Sequence, residues 1–278
     1  MASEWFECIV VGFISGVADI LPVSTQAHNM LLRKFLGISR TPEIMELLIH
    51  IGILAALYIT CQAHIFKIVR AKRLARIPKR KRKRPLDTRS LMDYSLLKTM
   101  LLPVILSFFL YEKAATLGSN MILVATFLFL NGLLLYIPQF LPTGNKDCRT
   151  LSRVEGMMIG AGGALHIVPG FSGIGAALSV GSVCGMDHIY CLAMVLMLNI
   201  GTNIGLVVMD IMSMMSGGAS GVSFAVFILY VLAGAAAFAG AMLGIYIMRK
   251  LSENKRFSVF SYYCWGVALF TFVLNLVA

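Results

Sequence analysis

Two segments place groups capable of nucleophilic, acid–base or phosphate-binding chemistry in otherwise apolar surroundings. The first reads Ser15-Gly-Val-Ala-Asp19-Ile-Leu-Pro22-Val-Ser24-Thr25-Gln26-Ala-His28, the second His166-Ile-Val-Pro169-Gly170-Phe-Ser172-Gly173-Ile-Gly175. Polar residues such as Asp19, Ser24, His28 and Ser172, set in such company, are candidates for function rather than for packing, and a histidine within about one helical turn of the Ser24 and Thr25 hydroxyls fits acid–base chemistry. Ser24, Gln26, Ser172 and His166 add hydrogen-bonding capacity. The backbone around Gly170, Gly173 and Gly175 can turn its amides toward an anion. Each residue also has a plainer role. Ser24, Thr25 and Ser172 can bond backbone freed by the prolines, and Asp19 can cap a helix that begins after Pro22. A carboxylate in an apolar run is nonetheless a functional candidate by default.

The surroundings identify the solvent. The 278-residue chain is 58% hydrophobic and 13% charged, with a mean hydropathy of +0.83. Soluble domains carry roughly 25% charge, so a soluble globular fold is excluded. Apolar runs at about 43–65, 91–111, 119–138, 189–213, 222–248 and 258–277 reach the length that crosses a bilayer. The two proline-broken regions, near 5–36 and 156–186, read as helical hairpins that enter and leave by one face. The expected fold is all-α: about six full transmembrane helices and two re-entrant hairpins in one membrane domain, 1–278. Internal inverted repeats then fall near 1–113 and 119–278. Broken helices in comparable positions of two halves point to a site where the halves meet.

Twelve of the 24 Lys and Arg lie between positions 67 and 89, including the run Lys79-Arg-Lys-Arg-Lys-Arg84. The positive-inside rule makes this segment a cytoplasmic loop, able to attract anionic lipid; its place between two spans argues against nucleic-acid binding. Threading the chain from that anchor puts Lys146, Arg149, Arg153, Arg249, Lys250, Lys255 and Arg256 on the same side. Both termini and the opening of the site then lie on the external face, where Arg33, Lys34 and Arg40 are exceptions to the charge rule. The start of the chain, Met-Ala-Ser-Glu-Trp-Phe-Glu, lacks the basic residues of a cleaved signal peptide. The six cysteines lack metal or disulfide spacing and read as apolar filler. Glu46 and His50, at i and i+4, share a helix face, where they pair with each other or line a lipid entry. Asn199 and Asp210 read as interhelical hydrogen-bonders. Asp187 and His188 read as solvated turn residues, and the Met-rich stretch 194–215 as packing surface. Crowded glycines allow close helix approach, and a homo-oligomer is compatible with the pattern.

The chain resembles the undecaprenyl-pyrophosphate phosphatases, the bacterial bacitracin-resistance membrane proteins, over nearly its whole length. The resemblance rests on Leu21-Pro-Val-Ser24 through His28, on Glu46-Leu-Leu-Ile-His-Ile-Gly52, and on Pro169-Gly-Phe-Ser172 with Gly175-Ala. It implies an inverted-repeat bundle in the inner membrane that hydrolyses undecaprenyl diphosphate to the monophosphate carrier of cell-wall synthesis. By this resemblance Thr25, His28 and Asp19 are the catalytic candidates. Ser24, Gln26, His166, Gly170, Ser172, Gly173 and Gly175 are the candidates for binding the lipid head group.

Departures from the family pattern bear on the chemistry. Two glutamates of the family's first motif are Ser15 and Asp19 here, and its Ser-Ser-Thr-Gly-His is Ser24-Thr25-Gln26-Ala27-His28. In the second motif Gly173 stands where the family has arginine, Ile174 where it has serine and Ala177 where it has threonine. A diphosphate brings several negative charges into a low-dielectric cavity, and a guanidinium suits phosphate geometry. Replacement charge is expected from a protonated His166, or from Mg²⁺ or Ca²⁺ held by Asp19 and lipid phosphate oxygens. Besides hydrolysis, two readings stay open: binding or transport of a polyprenyl phosphate without cleavage, and a membrane scaffold acting through the basic loop.

Overall fold

The computed structural model describes residues 2–38, 41–82, 84–217, 223–253 and 257–277. Of the basic residues counted above, Arg40, Lys83, Lys255 and Arg256 lie outside the described residues. Eleven α-helices are present among the described residues, with no strand. The first proline-broken region forms α1 (Ala2–Ile20) and α2 (Thr25–Leu36), and the second forms α7 (Arg153–Ala164) and α8 (Gly173–Val183). Between them come α3 (Glu43–Ala75), α4 (Thr88–Ser107), a short α5 (Tyr111–Thr116) and α6 (Met121–Tyr136). The chain ends in α9 (His188–Gly217), α10 (Phe224–Glu253) and α11 (Ser258–Val277).

Among the described residues six stretches are long and apolar enough to cross a membrane: Glu43–Ala75, Thr88–Ser119, Met121–Phe140, His188–Ser216, Phe224–Ser252 and Ser258–Leu276. The protein is a multi-pass, all-helical membrane protein. Its outer surface carries large apolar side chains such as Phe109, Phe224 and Leu276, as lipid-facing helices require. The first basic residues of the 67–89 segment prolong α3 to Ala75 rather than forming a loop. At about 1.5 Å per residue, a 33-residue helix outruns a hydrocarbon core of about 30 Å. Its last carbonyls are capped by Arg82, whose guanidinium donates to Ala75 O at 3.2 Å and Ile77 O at 2.7 Å.

Side-chain oxygens start several helices in the expected way: Asp87 caps α4, Asn120 caps α6, and Ser152 with Glu155 forms a capping box on α7. Asp187 accepts from the Tyr190 N–H at 2.9 Å, so it caps α9 rather than serving only as a solvated turn residue.

Glycines set the helix partners. Added Cβ atoms at Gly12 and Gly16 of α1 would run into the Ala233 and Ala237 backbone of α10, and at Gly160 of α7 into Met100 of α4. These small-residue seams let backbones approach closely. The contacts are related by exchange: α1 packs on α10 as α7 packs on α4, while α3 meets α9 and α6 meets α11.

Each broken region doubles back. Ser15 Oγ donates to Asn29 Oδ1 at 2.8 Å, joining residues that lie equally far either side of Pro22. In the second, a Cβ at Gly162 of α7 would meet the Ala176 backbone of α8. The basic segments also gather at one end of the bundle. Cys148 Sγ contacts Arg89 O, Lys146 N–H donates to Gly185 O at 3.0 Å, and Ser252 Oγ donates to His188 O at 3.2 Å.

Candidate active site

The two breaks meet tip to tip. Ser24 leaves α1 with φ +66°, a conformation costly for any residue with a Cβ. That backbone lets its hydroxyl cap α2 at Ala27 N–H and also accept the Gly170 N–H of the other break at 3.1 Å. Gly170 itself has φ +103°, and a Cβ there would meet Phe127 and the Val124 carbonyl. Fully buried Asn131 of α6 spans both tips, donating to Pro22 O at 3.1 Å and accepting the Ser172 N–H at 3.0 Å. Gln26 Nε2 donates to His166 O at 3.3 Å.

A cavity of about 420 Å³ opens beside this junction, lined among others by Ser15, Asp19, Thr25, Gln26, Arg33, Glu46, His50, Tyr111 and His166. Asp19 is buried, and its Oδ2 accepts two amide N–H groups of α9, from Asn199 at 2.9 Å and Asn203 at 3.2 Å. These donors satisfy and orient the buried carboxyl group. Farther along the wall Thr41 donates to Glu46 at 2.5 Å. His50 Nδ1 lies 2.7 Å from Asp210 Oδ2 on α9. Glu46 and His50 thus share the cavity without bonding each other.

Several expected site residues take other positions. His28 is not among the residues lining the cavity: its Nδ1 meets Ser24 O at 2.9 Å, its Nε2 meets Tyr263 OH at 2.7 Å, and its ring stacks on Tyr263 of α11. The backbone of 170–175 is not an open phosphate cradle. The Gly170, Ser172 and Gly175 N–H groups are held by Ser24, Asn131 and Ser172 Oγ respectively. Ser172 and Gly173 border only a void of about 10 Å³, the size of a single water site at most. The His166 side chain does line the cavity, and its Nε2 is buried without a hydrogen-bond partner.

The chain itself offers few donors for a divalent cation. Among the described residues no group of three or more His, Cys, Asp or Glu converges, and Asp19 Oδ2 already takes two amides. Ca²⁺ and Mg²⁺ take about six oxygen ligands or more, so most would have to come from phosphate and water rather than from this chain. Asn131, Asn203 and Arg33 are the residues that sequence reasoning passed over. Asn131 and Asn203 carried a usable signal, being amides in the middle of apolar spans.

Residues 8–270 match the family model described as bacitracin resistance protein BacA. The chain belongs to this family. Among its relatives, the protein named undecaprenyl-diphosphatase in Methanobrevibacter smithii is 26% identical over 275 residues, 96% of each chain. The one of the same name in Carboxydothermus hydrogenoformans is 25% identical over 279 residues, 97% of each chain. The family match takes in both helix breaks, the cavity and α9, whose amides hold Asp19.

Proposed function

We propose that the protein is a membrane phosphatase of a polyprenyl diphosphate, undecaprenyl diphosphate in the first instance. The observation that carries this reading is the polar cavity at the junction of the two breaks, in a chain of the BacA family. Its 420 Å³ suits a diphosphate head group, while a polyprenyl chain would remain in the bilayer. The N-terminus of α2 opens on the cavity through Thr25 and Gln26, an orientation that attracts phosphate. Thr25 Oγ1, or a water beside it, attacks the terminal phosphorus. The bond to the bridging oxygen breaks and the lipid leaves as its monophosphate; where Thr25 is the nucleophile, a water then hydrolyses the phosphothreonine, freeing phosphate and restoring the hydroxyl. Asp19, oriented by Asn199 and Asn203, receives the nucleophile's proton. No step is assigned to His28 or to a metal ion.

The basic end of the bundle, with residues 76–89 and 146–153, belongs by the positive-inside rule to the cytoplasmic side of the cell membrane. Thr41 and Ser119, at helix ends away from the basic segments, line the cavity, which puts it toward the external face in this reading. In this placement the hairpins are re-entrant, and the basic segment faces anionic lipid.

The test is phosphate release from a long-chain prenyl diphosphate by the detergent-purified protein, with and without Mg²⁺ or Ca²⁺. Release is expected for the wild type and is lost in Asp19→Asn and Thr25→Val. Saturable binding of the diphosphate without release would overturn the phosphatase reading in favour of a non-hydrolytic lipid-phosphate carrier.

A further inference from the structure

A diphosphate cannot enter this cavity without a counter-charge, because Asp19 and Glu46 already line it and the dielectric is low. Position 173 of the second break, where the family has its arginine, cannot supply one. At Gly173 a Cβ would stand 2.7 Å from the Gly163 carbonyl oxygen and 2.7 Å from His166 Cβ. α7 and α8 are therefore packed too closely for any side chain at that position, and an arginine there is excluded by backbone rather than merely missing.

We infer that Arg33 is the diphosphate-binding residue of this site, with its guanidinium entering from α2 instead of from the second break; the inference rests on the function proposed above. Among the described residues, Arg33 is the one Lys or Arg lining the cavity. It is half-buried, and its Nε donates to Asn29 O at 3.3 Å. Asn29 is in turn held by Ser15 Oγ of α1 at 2.8 Å. The side chain thus lies back along α2, as helical side chains do, with its head level with Asn29. Asn29 is four residues from Thr25, a rise of about 6 Å, so the guanidinium and the Thr25 hydroxyl address neighbouring parts of one head group. The two terminal nitrogens form the edge that fits phosphate oxygens in a bidentate manner.

The plainer role for Arg33 is a cation in the last turn of α2, where it would complement the helix dipole. Lys34 occupies that turn equally well, is exposed, and lies 3.4 Å from Met121 Sδ, outside the cavity lining. The dipole accounts for Lys34. It does not account for an arginine folded back over its own helix to line a polar cavity at the end opposite the basic segments.

The experiment is a binding titration of detergent-purified protein with farnesyl diphosphate, farnesyl monophosphate, farnesol and inorganic pyrophosphate, following intrinsic tryptophan fluorescence or heat. Arg33→Ala is expected to weaken farnesyl diphosphate and pyrophosphate at least ten-fold, monophosphate less, and farnesol not at all. Arg33→Lys recovers part of the loss, and Lys34→Ala binds all four as wild type does. Unchanged diphosphate affinity in Arg33→Ala overturns the assignment and leaves the proposed function standing. Equal loss of farnesol and diphosphate also overturns it, since that marks a damaged fold. A wild type that binds farnesol but neither diphosphate nor pyrophosphate overturns the proposed function and the assignment together.

Discussion

The Ser24 hydroxyl accepts the Gly170 N–H at 3.1 Å, and this one bond couples two helix breaks that lie 146 residues apart in the chain. It requires Ser24 to hold φ +66°. Loss of the hydroxyl leaves a buried N–H unpaired, a cost of about 1–3 kcal/mol. Ser24→Ala keeps the unfavourable φ, whereas Ser24→Gly relieves it by about 1 kcal/mol. Thermal unfolding in detergent should therefore rank wild type above Ser24→Gly above Ser24→Ala. An alanine variant as stable as the glycine variant would contradict the positive φ.

Reintroducing an arginine at the second break should fail. Gly173→Arg must displace the Gly163 carbonyl and His166, forcing α7 and α8 apart. Overpacking of this kind costs about 1–3 kcal/mol. The expected outcome is a lower unfolding temperature with no gain in phosphate release. A gain in release at unchanged stability would show that the α7–α8 seam can open.

The His50–Asp210 pair bridges α3 and α9 at 2.7 Å, with side-chain exposures of 18% and 8%. Removal of one partner from such a buried pair costs about 3–5 kcal/mol, because the other is left without its counterpart. Asp210→Ala should destabilise strongly, and adding His50→Leu should recover part of the loss. A double-mutant cycle by thermal unfolding measures the coupling; strict additivity would sink the pairing.

Much of this architecture was legible in the chain because membrane burial writes itself into sequence. Runs of about twenty apolar residues, proline-broken segments and the basic cluster at 67–89 gave six spans, two helix breaks and a common end for the charges. The site was only half legible. Asp19, Thr25, Gln26 and His166 could be chosen because they are polar in apolar company, and all four line one cavity. His28 satisfied the same criterion, yet a turn of α2 carries it to Tyr263. The direction of one side chain on a helix depends on where the helix starts, and the positive φ of Ser24 that sets this start is not visible in the sequence. Nor could spacing reveal that the amides near Gly170 are held by Ser24 and Asn131, since those contacts join residues 146 and 41 positions apart.

At the basic end, Lys146 lies 2.6 Å from Glu155, and this contact, with hydrogen bonds from Ser152, holds the Glu155 carboxyl down at about 2 instead of 4.5. A depressed carboxyl pKa favours folding above the unfolded value, and that contribution is lost as pH falls through the folded one. The window is therefore about pH 4.5 down to about 2. The stability advantage of wild type over Glu155→Gln should be constant above pH 5 and shrink steadily below it. Parallel melting curves for the two proteins across pH 6 to 3 would remove the pair from the argument.

Thr25 and His28 stand one turn apart on α2 but face different neighbours, and activity should separate them. His28→Phe retains the stacked ring against Tyr263 and loses only the hydrogen bonds to Ser24 O and Tyr263 OH. A typical net loss is about 0.5–1.5 kcal/mol per bond, which affects stability rather than the cavity. Phosphate release should stay within a few-fold of wild type in His28→Phe. In Thr25→Val and Asp19→Asn it should fall by about a hundred-fold or more, the scale on which acid–base and nucleophilic groups act. Measurement of kcat and of the unfolding temperature on the same preparations decides the matter. If His28→Phe abolishes release while melting as wild type does, the proton is carried through α11, and the catalytic centre extends beyond the cavity to Tyr263.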